Sequence, residues 1–447
     1  MRTAVLLRSL GVRVIAATVV GSSLASCGSE DGERGPRGPA GAQGSQGEAG
    51  PPGSPGVLDG GVEGELNASC MSPCHGFTGL VEQWKSSTHF AAYIANLGGE
   101  EVESWTGATA CGNCHAIDGI QQRLASNVNP SRADAGPPDP IQVAAGQLNY
   151  LNPANSRVAE ATYAGQATVA VVHCTTCHNV TAANDPHVTG QNYAPGSFPL
   201  RVPSGAADQA WLEASSGFGA VDGVAAGKYG VGNVCMWCHK SRKDVTNYIP
   251  RGTTVNITNV YWGPHEGPQA DIYTGKGGYH YAGATKAYGN SSHQNFTNGC
   301  VRCHMPDVAS NQNVGNHSFY AQLSSCQTSG CHESTTSFDV IGGQSLTISR
   351  LQDLRVALNN ADLLTRSAAA PYERLTTEQL AAQDFARDEA KPKNAVPADQ
   401  AGALYNYLLI ARGSAGGIHN PLYVRQLIWD SLEATTSAPP PYPRPGN

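Results

Sequence analysis

The sequence predicts a mostly α-helical fold with extensive loops, little β structure and its longest helices near the C-terminus. Glycine, proline, asparagine and aspartate recur so often between residues 106 and 316 that sustained periodic runs are few. After residue 346, apolar residues return at helical spacing. Charged residues make up 14% of the chain, against about 25% in typical globular domains. These observations favour short helices in a loop-rich framework, followed by a more regular helical part.

Four helices are predicted in the C-terminal part of the chain. They cover Leu346–Leu364, a segment that begins at Thr376, Pro397–Arg412 and Pro421–Ala434. The last two place apolar residues on one face each. Asn420 and Pro421 have the residue types of an N-cap and a first helical position. The proline-rich residues 435–447 are predicted to be disordered.

Cysteine and histidine carry the strongest pattern in the sequence. Twelve of the 13 cysteines form six pairs, and a histidine follows each pair directly. Four pairs have the spacing C-x-x-C-H, namely Cys111/Cys114/His115, Cys174/Cys177/His178, Cys235/Cys238/His239 and Cys300/Cys303/His304. Two are stretched, with three and four intervening residues, namely Cys70/Cys74/His75 and Cys326/Cys331/His332. C-x-x-C-H is the attachment signature of c-type haem, in which two thioethers hold the porphyrin and the histidine binds the iron.

Other cysteine chemistries fit this pattern less well. Structural zinc needs four ligands from two knuckles, rather than isolated Cys-Cys-His units. A disulfide framework gives no reason for a histidine after each pair, and it suits smaller secreted domains. Thioredoxin-like redox motifs use C-x-x-C once per domain.

The repeated motif resembles that of the multihaem c-type cytochromes, with hexahaem members among them, over roughly residues 67–434. The resemblance implies six covalently bound c-type haems (heme c) and a fold organised around them. The porphyrins would then provide apolar core surface that the chain itself lacks.

Eight histidines lie outside the motifs and could bind the second axial position of six irons. Six are favoured by local sequence or by resemblance to ligand segments of that family: His89, His187, His265, His293, His317 and His419. His173 and His280 are left over. Methionine is the common alternative ligand, but Met71, Met236 and Met305 all lie within or beside attachment motifs. Bis-histidine ligation and low potential are therefore expected, since methionine ligation raises the potential.

The N-terminal segments predict export and a lipid anchor. Residues 1–27 read as a lipoprotein signal peptide that ends in a lipobox, with Cys27 as the lipid-bearing residue. Residues 28–66 form a stalk in which glycine occupies every third position from Gly32 to Gly56. This is the collagen-like period, read as an extended tether or as a trimerising triple helix. A haem-binding domain at residues 67–340 and a helical part at residues 341–434 follow.

These features predict an electron carrier rather than a catalyst, with no catalytic residues. The expected location is the outer membrane, on its periplasmic face or at the cell surface, and the expected partners are redox proteins or extracellular acceptors. The net charge of −7 argues against nucleic acid. Two alternatives stay open: a multihaem oxidoreductase of the nitrite, hydroxylamine or tetrathionate class, and a subunit of an extracellular cytochrome filament.

Overall fold

A computed structural model of the chain describes part of its length. The described residues are 80–90, 172, 174–179, 181, 183–184, 186–191, 198–201, 229–241, 243–283, 286–308, 311–366, 385 and 388–446. The predicted signal peptide, the stalk, the helix beginning at Thr376 and the first two cysteine motifs lie outside them. The fold is mostly α-helical with little strand, as the sequence predicts. Among the described residues, no helix combines the length and the apolar character that a membrane crossing requires.

Short helices dominate the first part of the described chain. In chain order they are α1 Leu80–Lys85, α2 Cys174–Cys177, α3 Pro186–Thr189, α4 Asn233–Met236, α5 Val245–Tyr248, α6 Gln269–Thr274 and α7 Cys300–His304. Three long helices follow: α8 Gly343–Asn360, α9 Ala398–Arg412 and α10 Pro421–Thr436. The 3-10 turns are Gly230–Gly232, Ser292–Asn295, Leu323–Ser325 and Val340–Gly342. This division matches the predicted change from a loop-rich middle to a helical C-terminal part.

The strands among the described residues form three separate antiparallel pairs. β1 Thr254–Ile257 pairs with β6 Lys393–Pro397, with Val255 opposite Val396. β2 Asp307–Val308 pairs with β3 Asn311–Gly315, and β4 Leu364–Arg366 pairs with β5 Asp388–Ala390. The β1–β6 pair joins the loop-rich middle to the chain just ahead of α9.

Helix α9 lies at the centre of the main hydrophobic core. The sequence predicts one apolar face for it, but nearly every residue from Ala398 to Ala411 is buried. The apolar face alone does not account for this, because α8 and α10 cover further sides of α9. Residues ahead of the long helices, including Ile249, Trp262 and Tyr279, belong to the same core. The core therefore crosses the boundary that the sequence places at residue 340.

Helix α8 begins and ends earlier than its predicted range of Leu346–Leu364. The carboxylate of Asp339 accepts hydrogen bonds from the backbone N–H groups of Gln344 (2.9 Å) and Ser345 (3.1 Å). These are donors that a helix start leaves without intrahelical partners. At the other end, Asp362 has a positive φ of 60°, and the chain turns there into β4.

Helix α10 begins at Pro421, as the sequence predicts, but Asn420 does not cap it with its side chain. The Asn420 side chain instead accepts a hydrogen bond from the N–H of Ser291 (2.9 Å) and donates to Oδ1 of Asn290 (2.7 Å) and the carbonyl of Tyr273 (3.3 Å). It therefore ties the start of α10, and the histidine just before it, to the loop-rich part of the chain.

The proline-rich tail differs from its prediction. Residues 438–446 pack along α10 rather than forming a disordered end. The Arg444 guanidinium forms a buried ion pair with Asp430 (3.0 Å), and Trp429 and Gln426 donate hydrogen bonds to tail carbonyls. Composition alone predicts disorder because it does not show which buried carboxylate on α10 the tail arginine reaches.

We expect Arg444→Met to lower the free energy of unfolding by about 2 kcal/mol or more, because it leaves the fully buried carboxylate of Asp430 without its main cationic partner. The hydroxyl of Tyr288 (2.6 Å) and the ammonium of Lys286 (3.8 Å) offset part of the loss. Denaturant unfolding of the full chain measures the effect. The matched control is Lys391→Met, whose ion pair with Asp362 is exposed and should contribute little. Equal losses in the two variants would contradict the prediction.

Candidate functional site

The described cysteine motifs fold into a tight turn that places both thiols and the histidine together. In two C-x-x-C-H motifs the histidine N–H donates to the carbonyl of the first cysteine. The bond is 2.8 Å long from His178 to Cys174 and 3.0 Å from His239 to Cys235. The third regular motif is itself helix α7, Cys300–His304. A single helical turn therefore presents two sulfur atoms and one imidazole from each short segment.

The stretched motif at Cys326 closes in the same way. The N–H of His332 donates to the carbonyl of Cys326 over 2.9 Å, despite the two additional residues. The extra length loops out at Gly330, which has a positive φ of 78° that glycine adopts without strain. The last histidine and the first cysteine thus meet as they do in the regular motifs.

The second cysteine of a motif is held by a backbone hydrogen bond in both kinds of turn. The N–H of Cys238 donates to the carbonyl of Cys235 over 3.2 Å in a regular motif. In the stretched motif the N–H of Cys331 donates to the carbonyl of Thr328 over 3.0 Å. The Cys331 side chain is exposed, whereas Cys238 is half-buried. The stretched motif is therefore more open to solvent at its second cysteine than the Cys235 motif is.

Eight motif cysteines lie among the described residues. None of the eight forms a disulfide with another; they are Cys174, Cys177, Cys235, Cys238, Cys300, Cys303, Cys326 and Cys331. A thiol is the form from which a thioether is made, and a disulfide would block that reaction. The thioether bonds themselves stay a prediction at all eight positions.

Four motif histidines each face a second histidine from a distant part of the chain. The ring centroids are 6.3 Å apart for His178 and His317, 6.0 Å for His239 and His89, 6.1 Å for His304 and His419, and 6.2 Å for His332 and His293. All four partners are among the six distal candidates. The structure therefore brings together the predicted residues of four sites.

The common spacing has a simple metal-binding explanation. Histidine nitrogen binds metals at about 2.0 Å, so two imidazoles on opposite sides of one ion have ring centroids about 6.3 Å apart. In haem the porphyrin supplies the other four donors, so two imidazoles complete the coordination of the iron. Among the described residues, no cluster of three or more His, Cys, Asp or Glu side chains could hold a metal ion. The paired histidines and adjacent thiols fit the two axial positions and two thioethers of a c-type haem.

Hydrogen bonds at Nδ1 orient several of these rings. Backbone carbonyls accept from His293 (2.7 Å, to Ile418), from His304 (2.8 Å, to Phe319) and from His317 (2.8 Å, to Gly315). A carbonyl acceptor fixes the proton on Nδ1 and leaves the lone pair on Nε2 for a metal. The tautomer that iron ligation requires is thus set by the backbone.

Desolvation keeps two of the rings neutral. Desolvation, together with the neighbouring charge of His317, lowers the pKa of His178 to about 4. Desolvation, together with the charges of His304, His239 and His293, lowers the pKa of His419 to about 3. Neutral imidazole is the form that binds metals.

Neighbouring sites lie close to one another. The imidazoles that depress the pKa of His419 belong to three of the four pairs. Cysteines from different motifs also meet, because one apolar cluster around Met236 and Trp237 is contacted by four of them: Cys177, Cys235, Cys238 and Cys300. The side chains of Cys235 and Cys300 are in hydrogen-bond contact, which raises the pKa of the Cys235 thiol. Three of the motifs therefore share one apolar surface.

Three of the remaining histidines lie among the described residues. His265 donates from Nδ1 to the carbonyl of Glu266 (2.8 Å), as three of the paired rings do to backbone carbonyls. His187 lies in helix α3. His280 is bonded to the hydroxyl of Tyr423 (2.8 Å) and stacked on Tyr288 (4.2 Å), so its surroundings are those of a structural residue. His173 and the motif residues Cys70, Cys74, His75, Cys111, Cys114 and His115 lie outside the described residues, as does Cys27.

Gln269 is a site residue that the sequence does not reveal. Its Oε1 lies 3.0 Å from Nδ1 of His239, and its Nε2 donates to the carbonyl of Gly413 (3.1 Å). The second bond fixes the amide orientation, so that the oxygen faces the imidazole. The sequence favours the segment 263–269 only for His265. A glutamine thirty positions from its histidine leaves no local signal.

Comparisons of this chain with protein-family models, with curated proteins and with solved structures found no match.

Asp271 supports the Cys235 motif from helix α6. Its carboxyl group is fully buried and accepts a 2.7 Å hydrogen bond from the N–H of Ser241, two residues past His239. Burial raises the pKa of Asp271 to about 7, although the Ser241 hydrogen bonds and the charge of Lys240 lower it. Tyr405 and Tyr423 face it from α9 and α10. In the folded protein the carboxyl group of Asp271 is therefore mostly protonated at pH values below about 7.

We expect Asp271→Asn to gain stability relative to the wild type as the pH rises from about 4 to about 7. The folded-state pKa lies above the unfolded value near 3.8, so folding retains a proton across that window and wild-type stability falls as the pH rises. Above about pH 7 both states are ionised, and the difference should stay constant. Denaturant unfolding at a series of pH values measures it. A difference between variant and wild type that is the same at both ends of the window would contradict this assignment.

Proposed function

We propose that this chain is a hexahaem c-type cytochrome that carries electrons along a row of bis-histidine haems. The observation that carries the proposal is the 6.0–6.3 Å spacing between four motif histidines and four distant histidines. A single chance encounter of two rings would support little. The same spacing recurs at all four described motifs, and each time the partner is one of the sequence candidates.

The thiols are placed for covalent attachment. When haem binds, each cysteine thiol would add across a vinyl C=C of the porphyrin, with sulfur bonding to one vinyl carbon and hydrogen to the other, so that nothing is released and no oxidant is needed. The tight turn of each motif would place the neighbouring histidine to hold the iron. In the stretched motif the His332–Cys326 hydrogen bond preserves this arrangement.

Two histidines per site favour a carrier over an enzyme. Bound haem would supply an iron that alternates between its ferric and ferrous forms. Two imidazoles of the chain would hold that iron at each of the four described sites, which would leave no coordination position for a substrate. The ring of Phe319 lies beside rings of two different pairs, 4.9 Å from that of His89 and 5.8 Å from that of His317 between centroids, which supports a continuous row of sites. No described observation favours the oxidoreductase or the filament alternative.

The two motifs outside the described residues complete the proposed set of six. His75 and His115 need one distal ligand each, and His187 and His265 are the candidates that the four pairs leave over. The Nδ1–carbonyl bond of His265 supports a ligand role, since three paired rings are oriented in the same way. The surroundings of His280 make it the weaker candidate.

The cellular setting is proposed from the sequence alone. Cys27 would bear the lipid of an exported outer-membrane lipoprotein, and the collagen-like stalk would hold the haem part away from the bilayer. Partners would be redox proteins or extracellular electron acceptors, with self-association through the stalk as a further option. The acidic balance of the chain disfavours nucleic acid.

The direct test combines haem quantification with electron paramagnetic resonance of the mature protein. We expect six haems per chain, all with low-spin ferric iron. His419→Gly should convert about one sixth of the iron to the high-spin form, because His304 loses its axial counterpart. The matched control is His280→Gln, which should leave all haems low-spin, because His280 contacts Tyr423 of α10 and faces none of the four described motif histidines. A low-spin spectrum in the first variant, or high-spin iron in the second, would contradict the pairing.

Gln269 should tune the potential of the haem held by His239. Its acceptor oxygen strengthens the electron donation of the imidazole and so favours ferric iron. We expect Gln269→Leu to raise that potential and Gln269→Glu to lower it, with the haem count unchanged. Spectroelectrochemical titration measures the shift in about one sixth of the haem absorbance. Gln426→Leu is the control, because its partners are Gly289 and Pro445 rather than a ligand ring.

A further inference from the structure

Phe319 lies where three of the four histidine pairs meet. The centroid of its ring is 4.9 Å from that of His89 and 5.8 Å from that of His317, both nearly edge-on. Its backbone carbonyl accepts the 2.8 Å hydrogen bond from Nδ1 of His304. One residue therefore touches a ligand candidate from each of three different sites.

The backbone of Phe319 adopts an unfavourable conformation to do this. Its φ is +59°, in the left-handed region that a bulky side chain rarely occupies. Such strain persists only where the surrounding structure enforces it, and it concentrates at functional positions. Glycine would adopt this φ freely, but it would provide no ring. The position therefore combines a strained backbone with a side chain that the strain alone would disfavour.

Hydrogen bonds on both sides hold the segment in place. Asn316 donates from its N–H to the carbonyl of Pro306 (3.0 Å), and Gln322 donates to the carbonyl of Cys303 (3.1 Å). Both acceptors belong to the segment around helix α7, so the loop is fastened to the motif of His304. The Asn316 side chain also accepts from the N–H of Ser318 (3.0 Å). The loop around Phe319 is thus fixed relative to the motif of His304.

A further contact fastens the loop to the first short helix. The N–H of His317 donates to Oε1 of Gln83 over 2.8 Å. Gln83 lies in α1, and His89 lies four residues past the end of α1. The ring of Phe319 consequently contacts two distal candidates whose own segments are bonded to each other. A rotation of Phe319 would disturb both rings.

We propose that Phe319 is a positioning residue that sets the relative orientation of the axial imidazoles at three neighbouring haem sites. Its ring orients His89 and His317, and its carbonyl orients His304. This inference rests on the proposed function, since it assumes that these imidazoles bind iron. The left-handed backbone directs the ring towards His89 and His317, and the carbonyl towards His304.

The test is electron paramagnetic resonance of the full-length holoprotein carrying Phe319→Leu, with haem quantification beside it. Leucine keeps apolar bulk and the carbonyl but removes the aromatic edge. We expect the low-spin g-values of two haems, those held by His178 and His239, to shift while the haem at His304 keeps its signal. Phe319→Tyr retains the ring and should restore the wild-type spectrum. Phe319→Gly frees the backbone as well, so the signal of the third haem should shift too.

Phe296→Leu is the matched control, because the ring of Phe296 stacks on the single ligand candidate His293 at 5.9 Å. It should shift one haem signal. A Phe319→Leu spectrum that matches the wild type, or that differs at one site alone, would overturn the inference. If Phe319→Leu binds fewer haems, mass spectrometry of the haem peptides decides: loss confined to the His178 and His239 motifs supports it, and loss elsewhere overturns it.

The wild-type spectrum separates this inference from the proposed function. If the wild-type protein lacks bis-histidine low-spin haem, the proposed function itself fails. If the wild type shows six such haems and the Phe319 variants change nothing, only the positioning role is lost.

Discussion

The site region depends on one constraint: two imidazoles must face each other at a distance that leaves room for one metal ion between them. Each pair joins a histidine of a tight cysteine turn to one from a remote segment, and four pairs repeat nearly the same separation. Apolar packing by itself does not select a fixed ring-to-ring spacing, because the hydrophobic effect is non-directional. The spacing is therefore a requirement that the neighbouring elements meet, including the segment after α1, the loop after β3 and the start of α10.

The C-terminal core supplies a rigid frame for these loops. Helix α9 is buried along nearly its whole length between α8 and α10. From this frame α10 begins just after His419, the carbonyl of Ile418 orients His293, and the carbonyl of Gly413 fixes the amide of Gln269. Site geometry is held best by residues whose own positions are locked by packing. A core made largely of helices thus positions paired histidines in a part of the chain that contains few long elements.

The sequence predicts a feature correctly where adjacent residues decide it. The start of α10 at Pro421 follows from residue types at adjacent positions. Prediction was poorer where a distant partner decides. The Asn420 side chain bonds to the segment around Ser291 instead of capping its helix, and the tail packs because Arg444 reaches Asp430. Gln269 and Phe319 carry no motif, since what they contribute is a contact with a histidine from another segment.

By itself the sequence determined which residues form the cysteine–histidine units and which histidines were left to face them, because spacing within a few residues is a covalent property of the chain. It also indicated a mostly helical fold with long helices at the C-terminal end. Only the tertiary structure decided which histidine faces which. The partners are far apart in sequence, and the sequence alone allows any of the eight histidines outside the motifs to face a given motif histidine. It likewise separated His280, whose ring is bonded to Tyr423, from the four rings that face a motif histidine.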